Sequence, residues 1–274
     1  MTKLAYLPDR GVIRVTGEDR VAFLQGLVSN DVTAVAPGHA VWAAFLTPQG
    51  KWLADFFVVA DGDTLLLDCE RAQVPMLLPR LSRYRLRMKV VLGAEDAMRV
   101  HVAWDGTPHA DAGIVVPDPR LAGFAWRVLA TAVLPATATE TDWHRYRLTR
   151  GVPDGSRDLE SDKTVLLEAG FDELNGISWT KGCYMGQELT ARTRYRGLLK
   201  RRLVPVSVDG VLPDPGTPVL RNGTEVGTMR SGQDRQGLAV LRLDSLDGPL
   251  ECGGARLTPR IPDWMDLPEK AKAG

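Results

Sequence analysis

The last third of the chain consists of short apolar runs separated by turn-forming residues, and this pattern limits the folds available to it. Asn222-Gly223 lies between two of these runs. Asn-Gly favours a two-residue β-hairpin turn, because both residues tolerate a positive φ. Repeated short strands joined in this way predict a small β-barrel or sandwich, and we assign a β-barrel to residues 204–262. The polar tail, residues 263–274, is predicted to be loose.

The first 200 residues show a different pattern, in which strand-like runs alternate with helices. Residues 140–150 predict a helix, and Thr16 is the predicted N-cap of an earlier helix. Strand pairs that alternate with helices predict an α+β fold of ferredoxin-like type. We therefore predict one α+β region over residues 1–200, made of two interleaved subdomains. The predicted strands are 11–15, 41–46, 52–59, 64–69, 85–92, 99–104 and 125–130.

Charge and cysteine content exclude several classes of protein. The chain has 274 residues, with 34 Lys and Arg residues against 34 Asp and Glu residues. This balance provides no global field that attracts nucleic acid or a membrane. Cys69, Cys183 and Cys252 are odd in number and contain no CxxC pair, which argues against a disulfide framework and a self-contained metal site. No resident metal is therefore expected, although Cys183 remains available as one ligand of a transient cluster.

The N-terminal sequence carries no recognisable targeting signal. Residues 1–20 lack the apolar core of a signal peptide and the acid-poor, Arg- and Ser-rich character of a transit peptide. No apolar run approaches the ~20 residues that a membrane helix needs. Together with the scattered cysteines, these features predict a cytoplasmic protein with no membrane partner.

The octapeptide Lys181–Glu188 contains a thiol, an ammonium group, two glycines and a carboxylate. A turn over residues 182–186 that leads into a helix ending at Gly197 would place Cys183 near unpaired backbone N–H groups and the positive end of the helix dipole, which favour a thiolate. If residues 177–183 are extended, Lys181 lies on the same face as Cys183 and favours a thiolate too. The alternative is a small buried cysteine beside a glycine turn.

A run of cations follows the octapeptide. Such a cluster fits a solvated face, a site for an acidic ligand or an RNA-binding patch. The neutral total charge weakens the RNA interpretation, so direct binding of nucleic acid is not expected. The cations are Arg192, Arg194, Arg196, Lys200, Arg201 and Arg202.

These motifs carry a family resemblance. The sequence Lys-Gly-Cys-Tyr-x-Gly-Gln-Glu, followed by Thr-Ala-Arg and Tyr-Arg-Gly, resembles the signature of the YgfZ-type folate-binding proteins. Those proteins in turn resemble the aminomethyltransferase (T-protein) of glycine cleavage. The resemblance covers nearly the whole chain and implies a T-protein-like α+β fold followed by a C-terminal β-barrel. Further motifs in the family's order are Phe-Leu-Gln-Gly at 23–26, Asn-Asp at 30–31, Thr-Pro-Gln-Gly-Lys at 47–51, Gly-Val-Pro at 151–153 and Leu-Asn-Gly-Ile-Ser at 174–178.

The resemblance also implies a function. It indicates an accessory protein, not a conventional enzyme, that binds tetrahydrofolate and supports the assembly or repair of iron–sulfur enzymes, including those that modify tRNA. Its partners would be a reduced folate and iron–sulfur client proteins. Cys183 would act as a nucleophile, a redox thiol or a transient cluster ligand, and Lys181 would lower the pKa of that thiol.

Folate binding requires a carboxylate for the N–H groups of the pterin and cations for the acidic glutamate tail. The sequence does not choose among the carboxylates. Gln187 and Glu188 are expected to form part of the ligand wall, and Arg194 and Arg196 to meet the acidic tail. The candidate carboxylates are Asp31, Asp55, Glu168 and Asp172.

Two other functions compete with this one. The T-protein carries its catalytic aspartate in a run resembling Gly-Lys-x-x-Asp-Asp, and residues 50–55 match it with Ala54 at one position of the acidic pair. A folate-dependent aminomethyl or one-carbon transferase that uses Asp55 or Asp31 is the first alternative. An RNA-binding protein that uses the cations of residues 192–202 is the second.

Overall fold

The structure is a computed structural model that describes residues 1–267. Its contacts divide the chain into two compact units. The first unit comprises Met1–Gln49, Leu53–Glu140 and Leu174–Gln187. The second comprises Gly50–Trp52, Thr141–Glu173 and the described part of Glu188–Gly274.

The first unit contains two antiparallel sheets. One has five strands in the order β3-β4-β5-β2-β6, and the other has four in the order β1-β7-β9-β8. Two helices, α1 (Arg20–Gln25) and α2 (Val74–Arg83), belong to the same unit. The strands are β1 Lys3–Tyr6, β2 Arg10–Thr16, β3 Val41–Leu46, β4 Trp52–Asp61, β5 Thr64–Glu70, β6 Val91–Ala94, β7 Arg99–Trp104, β8 Ile114–Pro117 and β9 Trp126–Ala130.

The main core of the first unit lies on one face of the five-stranded sheet. Alternate residues of each strand point to this face, as the pleat of a β-sheet requires. Ala54 and Phe56 of β4 are examples, and Leu24 of α1 and Leu77 of α2 pack in the same cluster. The core residues are fully or almost fully buried, so this face accounts for most of the apolar burial that stabilises the unit.

A buried ion cluster links the two sheets. Asp68 of β5 is completely buried and accepts hydrogen bonds from Arg10 Nε at 2.7 Å and from Arg127 Nε of β9 at 2.9 Å. The guanidinium of Arg127 lies over the ring of Phe57, 4.4 Å from its centroid. One carboxylate is therefore shared by two buried cations, and its removal would take the hydrogen-bonded counter-charge from both of them.

The second unit is organised around a closed barrel with the strand order β10-β13-β12-β11-β14-β15. Asn222 and Gly223 have φ values of 51° and 77° and connect β11 to β12, so the predicted hairpin is confirmed. Helix α3 (Glu140–Arg150) also belongs to this unit, and α4 (Gln187–Tyr195) follows the octapeptide. The barrel strands are β10 Arg201–Asp209, β11 Pro218–Arg221, β12 Thr224–Gln233, β13 Gln236–Arg242, β14 Leu250–Cys252 and β15 Ala255–Pro259.

A third buried arginine, Arg147, fixes α3 to the barrel. Arg147 donates to Asp158 Oδ2 at 2.7 Å and to Ser231 Oγ of β12 at 2.8 Å. Asp158 Oδ1 also accepts from Ser231 Oγ at 2.5 Å. Short 3₁₀ turns complete the fold at Val32–Ala34, Arg71–Gln73, Ala110–Ala112, Gly155–Arg157, Leu166–Ala169 and Leu243–Ser245.

The strands predicted at 41–46 and 99–104 and the helix at 140–150 are confirmed as β3, β7 and α3. The strand predicted at 85–92 is wrong over residues 85–90, because hydrogen-bonded turns occupy this stretch and β6 begins at Val91. Thr16 is not the N-cap of α1. That position belongs to Asp19, whose carboxylate instead accepts a hydrogen bond from the backbone N–H of Lys89 at 2.7 Å.

The predicted division of the chain at residues 1–200 and 204–262 stays a prediction. Residues 268–274 of the predicted loose tail lie outside the described residues. Within residues 1–267, no helix combines the length and the apolar character needed to cross a lipid bilayer.

Candidate functional site

The octapeptide forms a glycine-containing loop that leads directly into α4. Gly182 and Gly186 have φ values of 96° and 80°, a conformation that glycine adopts without strain. The backbone N–H of Met185 donates to the carbonyl of Gly26 at 3.1 Å and anchors the loop to the end of α1. The predicted turn followed by a helix is therefore confirmed. Cys183 is exposed in this loop, so the buried-cysteine interpretation does not apply to it.

Lys181 is tied to the backbone at the end of α1. Its Nζ donates to the carbonyl of Val28 at 2.6 Å and to that of Asn30 at 2.7 Å. Burial lowers the pKa of Lys181 to about 8, although the charge of Asp31 opposes this shift. The amine also lies 5.3 Å from the centre of the Tyr184 ring.

This placement changes the role expected of Lys181. Residues 177–183 do not form a strand, so the condition for Lys181 and Cys183 to share a face is not met. The recorded hydrogen bonds of Lys181, within the part of the chain that the structure describes, go to backbone carbonyls and not to Cys183. Lys181 therefore organises the backbone of residues 28–30.

Asp31 lies next to this lysine-bound backbone and is held as a carboxylate. Its Oδ1 accepts hydrogen bonds from Thr33 Oγ1 at 2.6 Å, from Gln25 Nε2 at 2.9 Å and from the Thr33 N–H at 3.0 Å. These bonds lower the pKa of Asp31, and the hydroxyl of Thr33 makes the largest contribution. All the recorded bonds use Oδ1, which leaves Oδ2 as the oxygen available to a ligand.

Two motifs that are far apart in the sequence meet at this point. The hydroxyl of Ser29 donates to the carbonyl of Gly176 at 2.6 Å, and the backbone N–H of Ser178 donates to the carbonyl of Ser29 at 3.0 Å. The side chain of Asn30 donates to the carbonyls of Asn175 at 2.7 Å and Trp42 at 2.8 Å. The Asn-Asp and Leu-Asn-Gly-Ile-Ser motifs are thus parts of one structure.

These residues border a cleft in the first unit with a volume of about 530 Å³. This volume lies within the range of small-molecule sites in proteins. Asp31 and Asn30 supply polar groups, whereas the apolar part of the lining includes Val41, Leu121 and Ile177. No local pattern indicates that residues 117–122 contribute to this cleft, because their Pro-rich composition is typical of a surface loop.

Asp55 lies in β4, the strand next to β3 in the five-stranded sheet. It accepts a hydrogen bond from Trp42 Nε1 at 2.8 Å and is almost completely buried. Burial raises the pKa of Asp55 to about 6, although the Trp42 hydrogen bond and the charge of Arg10 oppose the shift. Asp55 does not line the cleft, and Ala54, its neighbour in β4, points to the apolar core.

The remaining predicted folate ligands fall in different places. Gln187 belongs to the first unit, where its Oε1 accepts the N–H of Tyr184 at 3.3 Å and closes the turn before α4. Glu168 belongs to the second unit and borders a cavity of about 130 Å³ together with Arg201. Burial raises the pKa of Glu168, and the charges of Arg201 and Lys51 oppose it.

The residues predicted to bind the acidic glutamate tail of folate also lie in the second unit. Glu188 is exposed in the first turn of α4. Arg194 forms an ion pair with Asp172, with 3.5 Å between Nη1 and Oδ2, so Asp172 is engaged within this unit. Arg196 is exposed at the end of the helix. Among residues 1–267, no group of three or more His, Cys, Asp or Glu side chains is arranged to hold a metal ion.

The chain is similar in sequence to known proteins, both in its C-terminal barrel and along its length. Residues 200–267 match the family of the CAF17 C-terminal beta-barrel domain. The chain is 34% identical to the human iron–sulfur cluster assembly factor IBA57, mitochondrial, over 96% of this chain and 85% of that protein. It is 32% identical to the corresponding mouse protein, over 96% of this chain and 86% of its relative.

The fold has a solved counterpart. The crystal structure of the glycine cleavage system aminomethyltransferase T from Bartonella henselae superposes with a TM-score of 0.73 at 13% identity, over 96% of this chain and 86% of that one. The predicted T-protein-like fold with a C-terminal barrel is therefore confirmed. At this identity the likeness concerns the fold alone.

The predicted cytoplasmic location is wrong, because the human, mouse and Mycosarcoma maydis relatives are named as mitochondrial. That prediction rested on the absence of a targeting signal in residues 1–20, on the lack of a membrane-spanning run and on the scattered cysteines. In the structure, residues 3–6 and 10–16 form β1 and β2 of the first unit. The motif-based resemblance to YgfZ-type proteins is refined by relatives that match the chain along its length. The chain belongs to the family of IBA57 iron–sulfur cluster assembly factors.

Proposed function

We propose that the protein supports the maturation of iron–sulfur proteins by binding a reduced folate in the first-unit cleft and by presenting the thiol of Cys183 to a client protein. Family membership supports the assembly role. The cleft that borders Asp31 is the observation that carries the folate part of the proposal.

The chemistry of the cleft fits a reduced pterin. A pterin has a flat ring that packs against apolar groups, and its amino and ring N–H groups need a carboxylate acceptor. The cleft offers an apolar wall and the ionised carboxylate of Asp31, whose Oδ2 is not used by the recorded hydrogen bonds. Asp31 would hold the edge of the pterin ring. Asn30 would position Asp31, because its side chain donates to backbone carbonyls of neighbouring segments.

Tetrahydrofolate would supply a reduced ring that carries one-carbon units. The part played by this chain is to bind and orient that ring, and Lys181 supports it by fixing the carbonyls of Val28 and Asn30 on either side of Ser29. Gln187, Glu188, Glu168, Arg194 and Arg196 remain predicted contributors to folate binding. Client enzymes that modify tRNA remain part of the proposal.

Cys183 is the group that would meet the client. It is exposed, whereas Cys69 and Cys252 are almost completely buried, so it is the thiol that a partner can reach. An accessible cysteine can act as a nucleophile, a redox thiol or a transient ligand of a cluster that is the protein's cargo. The loop glycines at 182 and 186 allow a partner's backbone to approach closely.

Calorimetric titration with tetrahydrofolate tests the folate site. We expect saturable binding by the wild type and by Cys183→Ser, and at least a tenfold weaker affinity for Asp31→Asn, which keeps the size of the side chain but removes its charge. Asp209→Asn, which removes an exposed carboxylate of the second unit that is not among the predicted folate ligands, is the matched control for charge. Equal affinities of the wild type and Asp31→Asn would place the ligand elsewhere.

Complementation of a strain that lacks the endogenous factor tests the thiol. Cys183→Ser should fold normally, because the side chain is exposed, and should fail to restore the activity of iron–sulfur enzymes. Full restoration by this variant would exclude Cys183 from the function. The transferase hypothesis makes a different prediction, since it requires folate-dependent turnover that is lost in Asp55→Asn.

A further inference from the structure

The balance of charge over the whole chain conceals a local excess of cations in the first unit. Residues 71–94 contain no Asp or Glu, although the chain as a whole is neutral. Local charge of one sign attracts a surface of the opposite sign over roughly a Debye length, about 8 Å at physiological ionic strength. The cations of this segment are Arg71, Arg80, Arg83, Arg85, Arg87 and Lys89.

The centre of this segment is a loop with an exposed apolar apex. After α2 ends at Arg83, successive turns form, with the N–H of Met88 donating to the carbonyl of Arg85 at 2.8 Å. Leu86 has a φ of 46° and is 87% exposed. A bulky residue in the left-handed region is disfavoured, and such strain is retained mainly where a local conformation serves a function. Val91, at the start of β6, is 60% exposed.

Three arginines lie in the segment beside this apex. Within the described part of the chain, no hydrogen bond or ion pair is recorded for the side chains of Arg80, Arg83 and Arg87. Lys89, in contrast, pairs with Glu18. The loop therefore presents the positive charge of these three arginines beside apolar surface, whereas Glu18 offsets the charge of Lys89.

We propose that residues 80–91 form a peripheral binding site for a lipid bilayer with anionic headgroups. In this arrangement Leu86 enters the acyl boundary while Arg80, Arg83 and Arg87 meet the headgroup charges, in the way that basic amphipathic segments bind membranes. The proposal is independent of the folate site, since none of these residues lines the cleft.

The shape and chemistry of the loop favour a lipid surface over other anionic partners. A lipid surface needs no complementary pocket, whereas a specific protein interface buries about 800 Å² per partner around a well-packed apolar core, which one apical leucine does not supply. Binding of single-stranded nucleic acid would need aromatic faces on which bases stack. The one aromatic ring of the loop, Tyr84, packs edge-on against the core residue Phe45, with 6.3 Å between ring centres.

Co-sedimentation of the full chain with lipid vesicles tests the proposal. Wild-type protein should bind vesicles that contain about one-third phosphatidylglycerol and should not bind pure phosphatidylcholine, because each cation strengthens partition by roughly fivefold. The triple variant Arg80→Gln, Arg83→Gln, Arg87→Gln should bind at least tenfold more weakly. The matched control neutralises three exposed arginines elsewhere, Arg192→Gln, Arg235→Gln and Arg256→Gln, and should bind like the wild type.

Leu86→Gly separates membrane binding from folding. Glycine adopts a φ of 46° without strain, so this variant should be at least as stable to urea as the wild type. Its vesicle binding should nevertheless fall about tenfold, because the apolar apex is lost. The proposal is overturned if the wild type does not bind anionic vesicles, if the control triple variant loses as much binding as the test triple variant, or if an RNA oligonucleotide binds the loop and displaces the vesicles.

Discussion

Replacement of Lys181 by methionine tests how strongly the fold perturbs this amine. The pKa of Lys181 is lowered from 10.5 to about 8, chiefly by burial. Below pH 8 the amine is protonated in both the folded and the unfolded chain, and burial penalises the folded state. Between about pH 8 and pH 10.5 the unfolded chain still binds the proton that the folded chain has released, so stability must rise with pH in this interval.

The size of the effect follows from the same pKa values. Each pH unit contributes about 1.4 kcal/mol to the free energy of unfolding, which gives about 3 kcal/mol for an amine that is fully shielded from water. Lys181 is only partly buried, and solvent screening reduces the expected rise to about 1 kcal/mol. Methionine does not titrate and cannot donate to the carbonyls of Val28 and Asn30, which costs about 2 kcal/mol at neutral pH.

Urea unfolding of the wild type and Lys181→Met at several pH values between about 7 and 9.5 measures both effects. We expect the variant to be less stable at every pH. The difference in the free energy of unfolding between the two proteins should increase by about 1 kcal/mol as the pH rises. Lys163→Met, at an exposed position of the second unit, should follow the wild-type profile. Parallel profiles for the wild type and Lys181→Met would refute the reasoning, because they would mean that the amine keeps its proton.

Three further predictions follow from buried or exposed groups. Asp68→Asn should lower the free energy of unfolding by about 3–5 kcal/mol in urea titrations, because it leaves Arg10 and Arg127 buried without their counter-charge. His101 is completely buried and its pKa is lowered from 6.5 by burial, so the unfolded chain takes up a proton that the folded chain does not. Stability should therefore fall as the pH drops below about 6.5, and this acid limb should be weaker in His101→Gln. Iodoacetamide should alkylate Cys183 in the folded protein and the other two cysteines only after denaturation, as read by peptide mass spectrometry.

The sequence predicts elements whose pattern is local and long enough to detect. The run at 41–46 and the helix at 140–150 appear with the predicted bounds. In contrast, β1, β8 and β14 have three or four residues each, and an alternation of that length cannot be distinguished from a loop. The order β1-β7-β9-β8 also depends on pairing between Lys3 and Trp104, which no local pattern indicates.

The contacts of the candidate site are also set by long-range structure that no local sequence pattern indicates. Sequence motifs identified Asp31 and Lys181 as residues of interest, but not the hydrogen bonds that join residues 28–30 to the lysine. The direction of Lys181 could not be predicted, because it depends on a loop without regular secondary structure. The burial of Asp55 behind Trp42 is likewise a tertiary effect, since one residue of β4 points to the apolar core and the next to the opposite face.

In the proposed function, the octapeptide has two roles that Lys181 connects. Cys183 is the exposed thiol that we propose as the reactive group, while Lys181, two residues earlier, donates to the carbonyls of the backbone that leads to Asp31. A ligand that moves residues 28–31 must alter the lysine hydrogen bonds, and through them the loop that carries Cys183. If folate binding and thiol reactivity are coupled in this way, tetrahydrofolate should change the alkylation rate of Cys183 in the wild type and lose this effect in Lys181→Met, because coupling between two sites requires a physical element that both of them bias.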